Sequence, residues 1–219
     1  PLSNKNLFEV LKYAKKLNFD DLYLISNGYL LNEKKSLQIL DSGLTKIMFS
    51  LDAFSRNTYA ERRLKNHKPA NYDKVIKNIL NFLDLKKKKN KKFPLVKVSF
   101  IIMENNKHEL KDFKKFWENK VDAIHFQKLV DYTDNNLIKN SVEDNKCNMP
   151  LFRLSIKSNG NVKPCCVGFG ENINLGNIYK DTLDKIWNSQ FMRDFQKMHV
   201  EKRSYENETC KKCLKNTNA

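Results

Sequence analysis

The sequence has no cysteine before position 147, only six glycines and five prolines, and no apolar run long enough to cross a bilayer. A membrane-spanning helix needs about 20 consecutive apolar residues, so a transmembrane protein is excluded. Scarce glycine and proline exclude collagen-like and proline-rich chains. No secretory signal precedes the first predicted helix. Because 40% of the 219 residues are hydrophobic, we expect a soluble globular protein that does not associate with membranes.

Charge is strongly one-sided, since 41 lysines and arginines against 25 acidic residues give a net charge of +16. Such an excess is typical of nucleic-acid-binding proteins, because basic side chains neutralise phosphates. Here the excess is nearly all lysine spread along predicted helices, with one dense run at residues 86–92. Arginine is sparse and no nucleic-acid-binding motif accompanies the charge. Nucleic-acid binding is therefore the weaker interpretation and stays an alternative.

All five cysteines lie in the last third of the chain, between Cys147 and Cys213. A secreted disulfide protein usually has an even number of cysteines spread through its fold. Thiols clustered in this way indicate a reducing compartment and a soft metal or a cluster. A cytoplasmic location is therefore expected. The four histidines are isolated in sequence, and none is predicted to be a ligand.

Strand and helix patterns alternate over residues 1–130. Helical spacing of apolar residues predicts helices at 4–17, 33–40, 71–85 and 107–117, with Asn32 as an N-cap. Short apolar runs predict strands at 21–26, 46–51, 94–103 and 121–130. Repeated strand–helix units of this length form a parallel sheet with right-handed crossovers. The fold class is therefore α/β, with four parallel strands in this region.

The pattern changes after residue 130. Residues 131–146 are polar and are predicted to be a linker, and residues 147–219 to be a small appended α+β module. Two short strands flank the turn at Gly160, which predicts a hairpin over residues 152–165. Residues 181–198 are predicted to form one helix whose inward face is Leu183, Ile186, Trp187, Phe191 and Phe195.

The cysteine spacing Cys147-x17-Cys165-x44-Cys210-x2-Cys213 is typical of a site with four thiolate ligands. Both Zn²⁺ and an iron–sulfur cluster accept such a set, and the spacing alone does not choose between them. Cys165 and Cys166 are adjacent, and neighbouring side chains of a strand point to opposite faces. We therefore expect one of the two to bind, choose Cys165, and expect Cys166 to be dispensable.

Further short motifs surround these cysteines. They are Ser26-Asn27-Gly28, Ser50-Leu51-Asp52-Ala53, Thr58-Tyr59-x3-Arg63, Cys147-x2-Pro150, Gly160-Asn161-Val162-x2-Cys165, Leu175-Gly176-Asn177-Ile178, Ile186-Trp187-Asn188 and Arg193. Together with Cys210-x2-Cys213 they resemble a radical S-adenosylmethionine (SAM) enzyme with a C-terminal SPASM or twitch iron–sulfur domain. The resemblance covers essentially the whole chain. The cysteine spacing is similar to the twitch form, which holds a single auxiliary cluster.

The resemblance implies a partial (βα)6 radical SAM barrel at residues 1–130 and an auxiliary [4Fe–4S] cluster bound by the four cysteines. It also implies that SAM contacts Ser50, Arg63, Asn27 and Gln127. All four lie at or just beyond predicted carboxyl ends of strands, where parallel sheets bind ligands. A structural role in a turn remains an equal alternative for Asn27. Arg62 is the competing candidate for the role of Arg63.

One feature departs from the family. Radical SAM enzymes hold their catalytic cluster with a C-x3-C-x2-C motif after the first barrel strand, and no cysteine precedes Cys147 here. The initial Pro1-Leu2 is similar to the end of the family's G-G-E-P-L segment. We therefore expect a chain truncated at its N-terminus that lacks the first two strands and does not cleave SAM by itself.

In the complete enzyme, the resemblance implies a 5′-deoxyadenosyl radical that abstracts hydrogen from a small-molecule or peptide substrate. The auxiliary cluster would transfer electrons, and a flavodoxin or ferredoxin would supply them. Two alternatives from other classes remain. One is a zinc-stapled binding module on an α/β scaffold, and the other is a basic nucleic-acid-binding protein.

Overall fold

The computed structural model describes residues 1–62, 70–129, 147–165 and 173–217, with side chains for 1–61, 71–129, 147–165 and 173–213. The chain forms two compact units, Pro1–Leu129 and Val130–Ala219. The predicted linker at 131–146 lies outside the described residues, so the domain limits drawn from the sequence stay a prediction. Among the described residues, no helix combines the length and the apolar character needed to cross a membrane.

The first unit is built on a four-stranded parallel sheet in the order β1-β2-β3-β4. The strands are β1 Tyr23–Ser26, β2 Lys46–Ser50, β3 Leu95–Ile102 and β4 Ala123–Lys128. The helices are α1 Leu7–Lys16, α2 Glu33–Asp41, α3 Arg56–Arg62, α4 Ala70–Lys88 and α5 Leu110–Trp117, the last preceded by a 3-10 turn at Lys107–Glu109. The predicted α/β class and the four parallel strands are confirmed.

One face of this sheet forms the core of the unit. Its fully or nearly buried side chains are Leu24, Ile47, Phe49, Val96, Val98 and Phe100. Helices α4 and α5 cover it, since Phe82 packs edge-on against Phe49 at 6.0 Å and Phe113 against Phe100 at 4.8 Å between ring centroids. Burying each such ring contributes about 1.5–3 kcal/mol. The alternation of strand side chains thus fixes which residues face the helices.

The opposite face of the sheet is largely open. Tyr23 and Ile25 of β1 are 45% and 48% exposed. Ser50 is paired in register with Ser99, and Gln127 with Ile101, so strand alternation puts Ser50, Ser99 and Gln127 on this open face. Parallel sheets are normally covered on both faces. The open face is therefore the surface against which a ligand or another segment can pack.

The second unit contains a three-stranded antiparallel sheet in the order β5-β6-β7. The strands are β5 Ser155–Ile156, β6 Asn161–Lys163 and β7 Gly176–Asn177, and the helices are α6 Leu183–Trp187, α7 Gln190–Val200 and α8 Glu208–Thr217. The predicted hairpin is confirmed as β5 and β6. Gly160 ends its turn with a φ of +82°, a conformation that favours glycine. Strand β7 and helix α8 were not predicted.

The single helix predicted at residues 181–198 is wrong, because two helices meet there. Thr182 caps α6 by accepting from the Lys185 N–H at 3.2 Å, and Ser189 caps α7 by accepting from the Met192 N–H at 3.2 Å. The serine cap starts a new helix and changes the phase of the inward face.

This change of phase decides which apolar side chains are buried. Ile186 and Phe195 are buried as expected, and Trp187 is half-buried. Leu183 and Phe191 are instead 45% and 55% exposed, so the expectation that they face inward is wrong. A continuous helix would have kept all five residues on one stripe.

Candidate functional site

A pocket of about 550 Å³ lies at the carboxyl ends of β1 and β2. Its lining comprises Pro1, Leu2, Ser3, Ile25, Ser26, Asn27, Tyr29, Leu30 and Ser50. It therefore brings together Asn27 and Ser50, two of the four residues predicted to contact SAM. Gln127 is exposed on β4, two strands away from Ser50 on the same open face. Arg63 lies outside the described residues.

The loop after β1 is held in one conformation from several sides. Asn27 Oδ1 accepts from the Tyr29 N–H at 3.2 Å, which is the turn role left open by the sequence. Gly28 has a φ of +72° and donates its N–H to Ser26 Oγ at 3.2 Å. Asn78 of α4 donates to the carbonyl oxygens of Gly28 and Tyr29 at 3.0 and 3.1 Å. The turn uses Oδ1 of Asn27 as an acceptor. The Nδ2 amino group of the same side chain is the part that could donate to a ligand.

The loop after β2 is fixed by a buried asparagine that sequence reasoning missed. Asn106 is fully buried and donates to the carbonyl oxygens of Asp52 at 3.1 Å and Ile101 at 2.8 Å. Its Oδ1 accepts from the Met103 N–H at 2.7 Å. Asp52 has a φ of +59°, and its Oδ1 accepts from the Ile101 N–H at 2.9 Å. The chain that follows Ser50 is therefore tied to the end of β3.

Helix α3 begins at a buried carboxylate that comes from far along the chain. Glu109 is 5% exposed and accepts from the backbone N–H groups of Phe54 at 2.6 Å and Ser55 at 3.1 Å. Burial raises the pKa of Glu109, but hydrogen bonds from Ser55, Phe54 and Thr58 outweigh it and leave the pKa below its ordinary value. An ionised carboxylate at a helix N-terminus is favourable. Glu109 thus holds the helix that leads toward Arg63.

The second unit gathers the predicted ligand cysteines. Cys147, Cys165, Cys210 and Cys213 are half-buried thiols that are not joined in disulfides. Burial first, and then the charges of Cys165, Cys147 and Cys213, raise the pKa of the Cys210 thiol to about 12. All three partners must lie close for their charges to act in this way. The structure therefore brings the four predicted cysteines into one neighbourhood, whereas Cys166 lies outside the described residues.

The spacing of these side chains bears on the group that they could hold. Within the described part of the chain, no three histidine, cysteine or acidic side chains are close enough to hold one metal ion. Thiolates around one zinc, with bonds of about 2.3 Å, lie within roughly 4 Å of one another. Thiolates around a [4Fe–4S] cluster each bind a different iron and lie farther apart. Four thiolates from separate chain segments are the ligand set that a [4Fe–4S] cluster takes.

His199 of α7 lies between two of these cysteines. It is 3% exposed, its Nδ1 is 2.8 Å from the Cys147 carbonyl oxygen, and its Nε2 is 3.6 Å from Cys210 Sγ. Burial lowers the pKa of His199, and the hydrogen bond to Cys147 partly opposes that. Sequence reasoning gave His199 no role. Its position four residues after buried Phe195 was the available signal, since that spacing continues the inward face of α7.

The hairpin that leads to Cys165 is fastened by Asn177 of β7. Its Nδ2 donates to the Asn159 carbonyl at 3.0 Å and to Asn161 Oδ1 at 2.8 Å, and its Oδ1 accepts from the Tyr179 N–H at 2.9 Å. A Cβ at Gly160 would come within 2.6 Å of the Tyr179 ring. These contacts give the Gly160 and Gly176-Asn177 motifs a structural role in presenting one ligand segment.

Comparison with known proteins adds to this geometry. Residues 147–214 match the SPASM family, an iron-sulfur cluster-binding domain. An uncharacterized protein of Methanocaldococcus jannaschii is 34% identical over 119 residues, which are 54% of this chain and 38% of that protein. A probable GTP 3′,8-cyclase of Saccharolobus solfataricus is 28% identical over 130 residues, 59% of this chain and 39% of the relative. The matches thus span less than two fifths of these curated relatives.

Solved structures share the fold. A histidine-tagged anSMEcpe with bound AdoMet (SAM) superposes with a TM-score of 0.61 and 16% identity, covering 90% of this chain and 63% of that one. Streptococcus suis SuiB bound to S-adenosylmethionine gives a TM-score of 0.60 and 16% identity, covering 99% and 58%. BtrN in complex with AdoMet and 2-DOIA gives 0.53 and 18%, covering 96% and 67%.

Together these matches support a radical SAM protein with a SPASM domain. This radical SAM protein carries its SPASM domain at residues 147–214, which contains all four candidate ligands. The expectation of an iron–sulfur cluster agrees with the SPASM match, and the solved neighbours BtrN and SuiB were crystallised with SAM, the other cofactor expected here. The predicted SAM contacts, the individual cluster ligands and the partial barrel with two absent strands stay predictions.

Proposed function

We propose that this chain is the C-terminal part of a radical SAM enzyme whose SPASM domain binds one auxiliary [4Fe–4S] cluster through Cys147, Cys165, Cys210 and Cys213. The observation that carries this proposal is the match of residues 147–214, which contain all four cysteines, to an iron-sulfur cluster-binding domain. Four thiols from separate chain segments converge inside a domain whose family binds iron–sulfur clusters. A single zinc ion also accepts four thiolates, and the match to a cluster-binding family is what favours the cluster.

Electron transfer is the role that the ligand set favours for this cluster. Four thiolates occupy the four irons, so no iron is left open for a substrate. The ligand segments leave the cysteines half-buried, and the degree of solvent exposure influences the reduction potential of a cluster. A flavodoxin or ferredoxin is the proposed reductant. The net charge of +16 would attract an acidic partner of this kind.

The first unit is proposed to bind SAM on the open face of its sheet. In the complete enzyme, SAM would supply radical chemistry for hydrogen abstraction from a small-molecule or peptide substrate, with the electron coming from the catalytic cluster. Ser50 and Asn27 offer hydrogen-bonding groups at the pocket, and Gln127 lies farther along the same face. Arg63 is proposed to pair with the SAM carboxylate, because a guanidinium can bind it through two hydrogen bonds.

The open face also supports the proposed partial (βα)6 barrel. Tyr23 and Ile25 on β1 remain about half exposed, although parallel strands are normally covered on both faces. Two further strands beside β1 would extend the sheet and enclose this face. The catalytic cluster would be held by that additional part of the enzyme, since no cysteine precedes Cys147 in this sequence. We therefore propose that the 219-residue chain does not cleave SAM on its own.

Anaerobic reconstitution with iron and sulfide tests the proposal. The wild-type chain should bind about four irons and develop the broad visible absorption of a [4Fe–4S] cluster. Replacing Cys210 with alanine should remove most of that iron. Stoichiometric zinc without iron in protein purified free of oxygen would support the zinc-stapled module instead. Steep, salt-dependent binding to a random DNA duplex would support the nucleic-acid alternative.

A further inference from the structure

His199 connects the first and third ligand cysteines, which are far apart in sequence. The imidazole Nδ1 is 2.8 Å from the Cys147 carbonyl oxygen, 52 residues earlier, and Nε2 is 3.6 Å from Cys210 Sγ, 11 residues later. A carbonyl oxygen only accepts hydrogen bonds, so Nδ1 carries the proton and donates it. The orientation of the ring is thereby fixed, with Nε2 facing the sulfur of Cys210.

The surroundings of His199 leave the ring little freedom. It packs against Phe195 at 4.8 Å between ring centroids and is almost fully buried. One turn earlier on α7, Gln196 donates to the Pro150 carbonyl at 3.1 Å. These two residues, three apart on one helix, hold the segment that begins at Cys147. Cys210 is fixed independently, because its N–H donates to Asn207 Oδ1 at 3.1 Å.

We propose that His199 is a positioning residue of the auxiliary cluster, which sets the relative placement of Cys147 and Cys210 and keeps a ring nitrogen against the Cys210 sulfur. This inference rests on the proposed function, since it assumes that these cysteines bind the cluster. Partners of metal ligands orient them and tune the metal. Because the proton is on Nδ1, Nε2 presents its lone pair to Cys210 Sγ, so this contact acts on the reduction potential through the dipole of the ring and not through a hydrogen bond to the sulfur. His199 therefore acts on both the retention of iron and the reduction potential.

Two substitutions separate the two contacts. An asparagine amide reaches the place of Nδ1, so His199→Asn keeps the bond to the Cys147 carbonyl and loses the contact with Cys210 Sγ. A glutamine amide reaches the place of Nε2, so His199→Gln keeps the contact with Cys210 Sγ and loses the bond to Cys147. Gln196→Ala is the matched control, because it removes a bond from the same helix to the same segment without touching a ligand cysteine.

The test is anaerobic reconstitution of the full 219-residue chain and these three variants, followed by iron retention against a chelator and redox titration of the cluster. His199→Gln should lower the affinity for the cluster about 10- to 100-fold, as is typical when the partner of a metal ligand is lost. His199→Asn should retain iron nearly as wild type does but show a shifted reduction potential. Gln196→Ala should match wild type in both.

The outcomes distinguish this inference from the proposed function. Absence of a cluster in wild type would overturn the proposed function itself. A cluster in wild type with unchanged iron retention and potential in both His199 variants would overturn the positioning role alone. If Gln196→Ala and the His199 variants lose iron equally, the positioning role is also overturned, because a general effect on the packing of α7 would then explain the loss. If His199→Gln fails to fold, the potential of His199→Asn still decides the result.

Discussion

Glu109 accepts a hydrogen bond from the backbone N–H of Phe54 at 2.6 Å, across 55 residues of sequence. The same carboxylate accepts from the Ser55 N–H at 3.1 Å, so both of its oxygens face the start of α3. The loop after β2 is thereby anchored to the turn that precedes α5. Tyr72 of α4 adds a third anchor by donating to the Phe54 carbonyl at 2.5 Å. The segment between Ser50 and α3 is thus held from two neighbouring elements.

Replacing Glu109 with glutamine should lower the stability of the first unit. An amide removes the charge that the helix N-terminus favours, and it puts a donor group opposite one of the two backbone N–H groups. Losing a hydrogen bond to a charged group typically costs about 1.5–3 kcal/mol. Chemical denaturation should show this loss. Glu104→Gln is the control, because that exposed carboxylate pairs only with Lys107 in the described contacts and should change stability little.

The stabilisation from Glu109 should depend on pH in one direction. The folded-state pKa of this carboxyl lies below its ordinary value of 4.5, so folding favours the ionised form. The contribution is therefore complete above the unfolded-state pKa and is lost as the pH falls through the folded-state pKa. The difference in free energy of unfolding between wild type and Glu109→Gln should be constant near neutral pH and should become smaller in acid. A gap that widens in acid would contradict the assignment.

Gly160→Ala should weaken the hairpin that leads to Cys165. Alanine at a φ of +82° costs roughly 1–2 kcal/mol, and its Cβ would meet the Tyr179 ring at 2.6 Å. We expect lower thermal stability of the SPASM domain and faster loss of iron to a chelator. Gly43→Ala shares the φ of +82° but lies in the first unit against the flexible side chain of Lys15. That control should retain iron as wild type does.

Local signals explain which parts of the fold could be predicted from sequence. The strand–helix alternation predicted the four parallel strands, and Asn32 was predicted as the cap of α2, where it accepts from the Lys35 N–H at 2.9 Å. Gly160 marked the hairpin turn. Each of these features depends on residues within a few positions of one another. The break between α6 and α7 was also local, but the Ser189 cap was overlooked inside a continuous apolar pattern.

The supporting residues of the sites could not be predicted in this way. Asn106 binds Asp52, 54 residues earlier, and His199 binds Cys147, 52 residues earlier. The spacing from Phe195 could place His199 on the inward face of its helix, but the partners of both side chains are set only when the chain folds. The cysteines themselves were predictable, since their spacing is a motif. The choice between zinc and a cluster rests on the match of residues 147–214 to a cluster-binding domain.

Cys165→Ala should lose most of the iron bound by wild type, whereas Cys166→Ala should keep about four irons, the number in this type of cluster. Four thiolates satisfy the cluster, and strand alternation directs adjacent side chains to opposite faces. The two variants serve as each other's control because they differ by one position. Iron content and visible absorption after anaerobic reconstitution measure the result. Iron loss in Cys166→Ala alone would assign the ligand role to Cys166 and leave the cluster itself standing.

The 219-residue chain should form no 5′-deoxyadenosine from SAM above a no-protein control under reducing, anaerobic conditions. Its cysteines all lie from Cys147 onward, so it lacks the C-x3-C-x2-C motif that binds the catalytic cluster. A longer form of the protein that carries this motif should produce it. Measurable turnover by the 219-residue chain would contradict the proposal that the catalytic cluster is bound outside this chain. It would also contradict the proposal that the SPASM cysteines bind only the auxiliary cluster.

Arg63→Ala, made in that longer form, should weaken SAM binding without abolishing the cluster. Loss of a hydrogen-bonded charge pair costs about 1.5–3 kcal/mol, which corresponds to a roughly 10- to 150-fold rise in Kd. Arg62→Ala is the matched control, because it removes the same charge one position away. Calorimetric titration with SAM under anaerobic conditions gives both affinities. If Arg62→Ala is the variant that weakens binding, the carboxylate partner is Arg62; if neither does, no guanidinium in this segment binds SAM.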